Sequence, residues 1–252
     1  MDTRLAYSLL VAAVAAERGL ELLISRRNGK RARARGAIEA GRSHYPAMVA
    51  LHAAFLAACP LEVWLLGRPW LPALGIPMLG LVLAAQGIRY WVVHTLQGRW
   101  TTNVLYVPGD PPITAGPYRW ARHPNYVAVT AEMAALPLVH TAWLTAVVFS
   151  AANVLLLAVR IKAEERLLEE ADILAGVTEV ARSHLGFTGT LSPDLPLSAA
   201  LALDSLRQLT LVVEIESRFR IALDDDAESL RTVGDLVAAI RRKREGRAPD
   251  AR

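Results

Sequence analysis

The sequence predicts an all-α protein, a multi-spanning membrane helix bundle of about five spans followed by a small four-helix bundle. Five apolar stretches lie in the first two thirds of the 252 residues, and none follows them. In the last third, apolar residues recur at helical spacing, which is typical of amphipathic helices. No stretch alternates apolar and polar residues in the way that indicates a strand.

The five apolar stretches are candidate membrane helices, which need about 20 residues each. They cover residues 5–25, 46–66, 71–93, 126–139 and 142–161. Glu17, Glu21 and Glu62 lie within or at the ends of the first two, and Glu132 lies within the short fourth. Charged side chains at such depths usually face the bundle interior or the interface. We therefore expect these carboxylates to face the interior, a polar cavity or the interface.

The charge distribution predicts a domain boundary near residues 169–171. Residues 1–170 hold 17 Lys and Arg against 11 Asp and Glu, whereas residues 171–240 hold 5 against 11. Such an asymmetry separates a basic, apolar front from an acidic, soluble back. The predicted domains are a membrane domain over 1–170, a soluble domain over 171–243 and a disordered tail over 244–252.

A basic run over residues 26–35 predicts the orientation in the membrane, since short loops rich in Lys and Arg stay on the cytoplasmic side. With five alternating crossings, residues 94–125 and everything after residue 161 then face the cytoplasm. Nucleic acid is not an expected partner, because the basic residues accompany a hydrophobic segment and not a polar face with aromatic residues.

Two segments could hold a methyl donor of the sulfonium type. The loop over 118–126 contains Tyr118, Trp120, Arg122, His123 and Tyr126. The last apolar stretch ends in Arg160 followed by Glu164 and Glu165, and residues four apart share one helix face. A sulfonium cation favours carboxylate, carbonyl and aromatic neighbours, the aromatic ones through cation–π attraction. The remaining histidines (His44, His52, His94 and His140) have no metal-ligand spacing and are interpreted as structural, so no metal site is expected.

These segments resemble the isoprenylcysteine carboxyl methyltransferase family of integral membrane enzymes. The matching pieces are the Gly-Pro-Tyr-Arg run over 116–119, the Arg-His-Pro-x-Tyr run over 122–126 and the Arg-x-x-x-Glu-Glu run over 160–165. The front (residues 21–28, 34–39 and 41–45) also resembles a bacterial branch that O-methylates alkylpyrone or alkylresorcinol lipids.

The resemblance covers about residues 4–170 and implies roles for individual residues. Arg160 and Glu165 would act in catalysis, with Arg160 orienting the donor or the acceptor anion. The residues implied to bind S-adenosyl-L-methionine are Tyr118, Arg122, His123, Tyr126, Glu132, Glu164 and Glu165. The reaction implied is methyl transfer to an oxygen of a lipid-like acceptor, an alkylpyrone or alkylresorcinol polyketide or a prenylcysteine-type carboxylate, at the cytoplasmic face of a bacterial membrane.

Two alternatives stay open at this point. The family usually continues past the Glu-Glu pair with an aromatic, basic segment that covers the cofactor, whereas here residues 167–170 read Leu-Leu-Glu-Glu. The chain could therefore be a membrane-tethered carrier with an inactive methyltransferase domain. Alternatively, the membrane half could bind a nicotinamide, because related membrane reductases resemble this helix layout.

The last third reads as three short amphipathic helices. Their predicted apolar stripes consist of Ile173, Leu174, Val177, Val180 and Ala181; of Leu206, Leu209, Val212, Val213 and Ile215; and of Val233, Leu236, Val237 and Ile240. Thr232 is a candidate N-cap for the third helix. Asp204 and Ser205 open the second helix, where a helix N-terminus would favour a phosphodiester anion.

This part resembles acyl carrier proteins over about residues 172–242, through Asp204-Ser205-Leu206, the acidic run over 224–226 and the segment over 229–236. Ala202 replaces a glycine that many carriers have at this position. The resemblance implies 4'-phosphopantetheine on Ser205, a phosphopantetheinyl transferase as partner and a polyketide synthase as a further partner. Glu214 and Glu216 would suit docking to basic partner enzymes.

Overall fold

The computed structural model describes residues 2–201, 204–223 and 230–246, and the chain divides into two compact units, Met1–Glu164 and Glu165–Arg252. The first unit contains α1 (Thr3–Ala34), α2 (Tyr45–Leu65), α3 (Pro72–Leu96), α4 (Pro124–Leu138) and the beginning of α5 (Trp143–Leu185). Two strands of three residues, β1 (Ile38–Ala40) and β2 (Val104–Tyr106), pair antiparallel, with Ile38 opposite Tyr106. This short ladder is a small exception to the all-α prediction.

Three helices of the described residues are long and apolar enough to cross a membrane, namely Tyr45–Leu65, Pro72–Arg99 and Trp143–Leu185. The first and fourth predicted spans form helices as well. However, α1 carries charged residues along its length, and α4 has only 15 residues. The basic run over residues 26–35 is not the predicted loop, because α1 continues through it to Ala34.

Helix α5 runs without a break from Trp143 to Leu185, where the sequence predicted two helices separated near residue 170. The joining residues, 162–172, contain no Gly or Pro and are rich in Lys, Glu, Arg, Leu and Ala. These residue types have high helix propensity, so nothing local ends the helix there. The predicted domain boundary at residues 170 and 171 lies within this helix.

A cluster of buried apolar side chains forms the core of the first unit. Its members come from α1, α2, α3, α4 and the turn before α5, and they include Val11, Phe55, Cys59, Val82 and Leu136. Glu62 is also buried, and its carboxylate accepts hydrogen bonds from the backbone N–H groups of Leu144 and Thr145 at 3.2 and 2.7 Å. These N–H groups lie in the first turn of α5, where a helix leaves its donors without intrahelical partners.

A network of buried charges connects α1, α3 and α4. Arg18 donates to Glu21 at 2.7 Å and to Glu132 at 2.5 Å. Arg89 donates through Nε to Glu21 at 2.7 Å and through Nη2 to the same carboxylate. The carboxylates of Glu21 and Glu132 thus face the interior, as predicted. Arg89 and Trp100 are buried as well, 7% and 3% exposed.

The second unit contains the end of α5, then α6 (Leu197–Ala200), α7 (Ser205–Phe219) and α8 (Val233–Glu245). Thr232 caps α8 as predicted: its side chain accepts from the N–H of Asp235, and the Asp235 side chain accepts from the N–H of Thr232. The predicted stripes on α5 and α8 are buried. Residues 202–203, 224–229 and 247–252 lie outside the described residues, and with them the predicted acidic run and most of the predicted tail.

The predicted stripe on α7 is partly wrong. Leu206, Leu209 and Val213 are 74%, 62% and 51% exposed, whereas Leu211 and Ile215 are the buried apolar residues of this helix. The apolar residues of α7 cover a broad face of the helix, so spacing alone did not determine which of them reach the core.

Replacing Glu21 with Gln should lower the free energy of unfolding of the first unit by about 3–5 kcal/mol, because the buried Arg89 and the half-buried Arg18 lose a shared counter-charge. All six tryptophans (residues 64, 70, 91, 100, 120 and 143) lie in the first unit, so tryptophan fluorescence during denaturant unfolding in detergent measures this quantity.

Asp110→Asn is the control, because Asp110 pairs with the exposed Arg35, and a surface pair contributes about 0–1 kcal/mol. Equal losses in the two variants would contradict a special role of the buried network.

Candidate functional site

In the loop before α4, a glycine allows the chain to lie close to α3. Residues Gly116–Arg119 form a 3₁₀ turn, in which Gly116 has a φ of +59°. A Cβ at Gly116 would lie 2.4 Å from the Thr95 hydroxyl, so a larger residue would push the turn away from α3. Pro117 is buried, and Pro124 begins α4, so the loop is fixed at both ends.

His123 and Tyr126 lie together where this loop meets α4. His123 is the N-cap residue of α4, and Tyr126 is in its first turn. Their rings stack, with centroids 5.2 Å apart and planes inclined by 20°. The loop motif therefore presents an imidazole and a phenol as one aromatic pair.

The Tyr126 hydroxyl connects α4 to Arg160 and Glu164 on α5. It donates a hydrogen bond to Glu164 Oε2 and accepts one from Arg160 Nε at 2.8 Å. The other carboxylate oxygen of Glu164, Oε1, lies 3.8 Å from His123 Nδ1. The prediction that Arg160 and Glu164 share one helix face is confirmed, because both reach the same hydroxyl group. We call His123, Tyr126, Arg160 and Glu164 the loop-helix cluster.

Arg160 is buried and held by several contacts within the first unit. Its Nη2 donates to the Thr102 carbonyl at 2.6 Å, and its Nη1 lies 3.2 Å from Met48 Sδ. Its guanidinium carbon is 5.7 Å from the centroid of the Tyr126 ring. Because these contacts fix the guanidinium, the position of the Tyr126 hydroxyl is fixed as well.

Tyr118 belongs to the same electrostatic environment. Burial, together with the negative charge of Glu164, raises the pKa of Tyr118 to about 12. Its phenol is therefore neutral near pH 7 and can donate a hydrogen bond. The side chains of His123 and Glu164 remain 17% and 28% exposed. A carboxylate and aromatic rings thus stay accessible together, which suits the binding of an organic cation.

Three other predicted site residues have different surroundings. Glu132 is bonded to Arg18 in the buried network described above. Arg122 is exposed, and Glu165 is exposed and belongs to the second unit. The roles predicted for Arg122, Glu132 and Glu165 stay predictions.

Sequence reasoning did not identify Met48 and Thr102, which hold Arg160. Met48 lies on α2, and Thr102 lies in the segment between α3 and β2, far from Arg160 in sequence. Thr102 is itself fixed, since its hydroxyl lies 2.8 Å from the Ser25 hydroxyl and 3.1 Å from that of Tyr45. No local pattern marks these residues, because only the packing of the helices brings them together.

Ser205 lies at the start of α7 in the second unit. Asp204 is the N-cap, and its carboxylate accepts from the N–H of Arg207 at 2.8 Å. Ser205 is exposed at this helix start, as an attachment residue would have to be. The two acids expected to dock partners have contacts within the unit: Glu214 lies 3.4 Å from His184, and Glu216 accepts from the N–H of Leu223 at 2.6 Å.

Replacing Tyr126 with Phe should lower the free energy of unfolding of the first unit by about 1–3 kcal/mol, because the buried Arg160 loses a hydrogen-bond acceptor. Tyr106→Phe is the control, since Tyr106 lies on β2 and is not part of the loop-helix cluster. Its free energy of unfolding should fall by no more than about 0.5 kcal/mol. Tryptophan fluorescence measures both variants. An unchanged stability of Tyr126→Phe would contradict the connecting role of the hydroxyl.

Comparison with known proteins finds a family match for each of the two parts of the chain. Residues 78–170 match the model of the isoprenylcysteine carboxyl methyltransferase (ICMT) family, and residues 172–240 match that of the phosphopantetheine attachment site. No solved structure matches the chain.

Individual relatives agree with this division. "Uncharacterized protein YpbQ" of Bacillus subtilis is 38% identical over 168 residues, which cover 66% of this chain and 99% of the relative. An "Uncharacterized protein" of Haemophilus influenzae is 30% identical over 161 residues, covering 63% and 92%. The acyl carrier protein of Kineococcus radiotolerans is 37% identical over 76 residues, covering 29% and 94%. The chain therefore belongs to the isoprenylcysteine carboxyl methyltransferase family of membrane proteins and carries a fused acyl carrier domain.

Proposed function

We propose that this protein is an S-adenosyl-L-methionine-dependent O-methyltransferase that acts on a lipid-like acceptor, with an acyl carrier domain that bears 4'-phosphopantetheine on Ser205. The observation that carries the proposal is the hydrogen-bonded arrangement of Tyr126 between Arg160 and Glu164, with His123 stacked on Tyr126. It supports the proposal because the two segments predicted to hold the donor supply these four residues.

The accessible groups of the cluster fit the donor. When bound, S-adenosyl-L-methionine supplies an electrophilic methyl group on a positively charged sulfur. Glu164 offers a carboxylate to its positive charges, and the rings of His123 and Tyr126 offer aromatic faces. Tyr118, neutral at pH 7, offers a hydrogen-bond donor. The proposal also assigns Arg122, Glu132 and Glu165 to the binding of the donor, with Glu165 and Arg160 acting in catalysis.

The protein contributes mainly positioning. Arg160, fixed by Thr102 and Met48, holds the Tyr126 hydroxyl, and Tyr126 in turn holds Glu164. Such fixed polar groups keep reactants oriented and avoid reorganisation during the reaction. The apolar helices exclude water, which strengthens each electrostatic interaction inside.

The favoured acceptor is an alkylpyrone or alkylresorcinol polyketide, methylated on oxygen at the cytoplasmic face of a bacterial cytoplasmic membrane. The basic end of α1 supports this orientation, because Lys- and Arg-rich segments stay on the cytoplasmic side. The carrier domain would present an acyl chain to a partner synthase, and the membrane domain would methylate the released lipid.

Replacing Glu164 with Gln should weaken binding of S-adenosyl-L-methionine at least about ten-fold, because a charged hydrogen-bond partner contributes about 1.5–3 kcal/mol. Titration calorimetry of the full chain in detergent measures the affinity, and transfer of labelled methyl to an alkylpyrone measures the activity. Glu39→Gln is the control, since Glu39 pairs with Arg33 and Arg42 and is not part of the loop-helix cluster. Absence of donor binding in the unmodified sequence would contradict the proposal and leave a membrane-tethered carrier.

Replacing Ser205 with Ala should abolish attachment of the prosthetic group. Coexpression with a phosphopantetheinyl transferase should add about 340 Da to the intact mass of the unmodified sequence, mapped to the Ser205 peptide. Ser217→Ala, which removes another exposed serine of α7, should leave the gain unchanged. A gain that survives Ser205→Ala would show that another residue is modified.

A further inference from the structure

His44 brings an imidazole close to the loop-helix cluster, and none of the roles derived above uses it. It is the N-cap residue of α2 and lies outside residues 78–170, so the family match assigns it no role. Its Nε2 atom is shielded from solvent and has no hydrogen-bond partner within the described part of the chain. Because shielded polar atoms are nearly always paired in folded proteins, such an atom indicates that a partner binds at this place.

The residues that follow His44 on α2 place it beside Arg160. The Tyr45 hydroxyl lies 3.1 Å from the Thr102 hydroxyl, and the Thr102 carbonyl accepts from Arg160. Met48, one helical turn after His44, contacts Arg160 Nη1 through its sulfur at 3.2 Å. Partial burial and the charge of Arg160 together lower the pKa of His44. The ring is therefore neutral at pH 7, and a neutral imidazole can carry its proton on either nitrogen.

A glycine leaves room for the His44 ring. Gly41 has a φ of +67°, and a Cβ at this position would lie 2.2 Å from Cε1 and 2.6 Å from Nε2 of His44. The ring thus lies directly against the Gly41 backbone, while His44 as a whole stays partly exposed, which leaves a path for a ligand. Gly36 has a similar φ of +79°, but a Cβ there would meet nothing within 4 Å. The two glycines therefore share the left-handed conformation and differ in their contact with His44.

Arg160 retains hydrogen-bonding capacity for an anion. A guanidinium has five N–H groups, and within the described residues three of them donate, to the Tyr126 hydroxyl, the Thr102 carbonyl and the Met48 sulfur. All three acceptors are neutral, and a thioether sulfur accepts only weakly. Glu164, the carboxylate of the loop-helix cluster, bonds to the Tyr126 hydroxyl instead. A buried guanidinium favours a negatively charged partner, which offsets the cost of removing its charge from water.

We propose that His44 and Arg160 together bind an organic oxyanion, with the Nε2–H group of His44 as a second donor beside the guanidinium. A cation would be repelled by Arg160, whereas an anion gives the guanidinium a direct counter-charge. The flexible, unbranched side chain of Met48 can yield its place at Nη1 to the ligand. The inference rests on the proposed function, which brings two such anions to the cluster, the carboxylate of S-adenosyl-L-methionine and the ionised oxygen of the acceptor. The family resemblance implies an anion at Arg160, and His44 is the residue that the structure adds.

The test compares ligands with and without the anion. Decarboxylated S-adenosylmethionine lacks the carboxylate of the donor, and the enol methyl ether of a pentadecyl-substituted hydroxypyrone lacks the acidic enol of the acceptor. Titration calorimetry of the full chain in detergent at pH 7 gives one affinity ratio for the donor pair and one for the acceptor pair. In His44→Leu, at least one ratio should fall about ten-fold, because a hydrogen bond to a charged group is lost. The affinity for the ligand without the anion should stay unchanged, and the pair whose ratio falls identifies the source of the anion.

Three further variants serve as controls. His94→Leu replaces an exposed histidine of α3 and should leave both ratios unchanged. Gly41→Ala should act like His44→Leu, because the added Cβ displaces the ring. Gly36→Ala introduces the same kind of backbone strain without that contact and should leave the ratios unchanged. If His44→Leu does not fold, the comparison of the two glycine variants decides.

Unchanged ratios in His44→Leu and Gly41→Ala would overturn the inference. An equal loss of affinity for both ligands of a pair would overturn it as well, because such a loss marks a structural role of the ring. If the unmodified sequence binds neither the donor nor its decarboxylated form, the proposed function fails. Binding of both ligands with ratios that His44→Leu leaves unchanged overturns only the assignment of His44, so the two failures are distinguishable.

Discussion

The structure of the membrane unit depends on compensation of charges that are buried among apolar helices. Removing a carboxylate or guanidinium from water costs several kcal/mol, and only close, well-oriented partners offset that cost. Arg18 and Arg89 share the Glu21 carboxylate, and Glu132 completes the network from α4. Since each of these contacts joins different helices or successive turns of one, the relative positions of α1, α3 and α4 are tightly restricted.

In the loop-helix cluster, charges are also compensated by close partners, but fewer charges are involved. Tyr126 receives a hydrogen bond from Arg160 and donates one to Glu164, so a single hydroxyl group links a cation and an anion. Arg160 is fixed in turn by a backbone carbonyl, that of Thr102, and by the sulfur of Met48. The carboxylate of Glu164 and the His123 ring remain partly exposed, and this leaves a rigid, accessible anion beside an aromatic pair. The family to which the chain belongs is one of membrane methyltransferases, and this arrangement suits a cationic methyl donor.

In the carrier domain, the residues that form the core are different from the residue that has to be accessible. Its core is formed by Leu211 and Ile215 of α7 together with apolar residues of α5 and α8, whereas Ser205 is exposed at the start of α7. Asp204 satisfies a backbone donor of the first turn, so the helix begins at Ser205 without involving the serine hydroxyl. Glu214 and Glu216 serve contacts within the domain, and the exposed side of α7 beside Ser205 is apolar instead, with Leu206, Leu209 and Val213.

The sequence by itself determined the helical class, the division into a membrane part and a carrier part, the N-cap Thr232 and the shared helix face of Arg160 and Glu164. It could do so because hydrophobicity, capping and helical spacing are local properties. Tertiary structure decided what depends on packing between distant segments. It paired Arg89 with Glu21 and held Arg160 through Thr102 and Met48. It also exposed one side of α7, where the apolar pattern allowed more than one orientation. These contacts join residues on different helices, and their geometry follows only from how the helices pack.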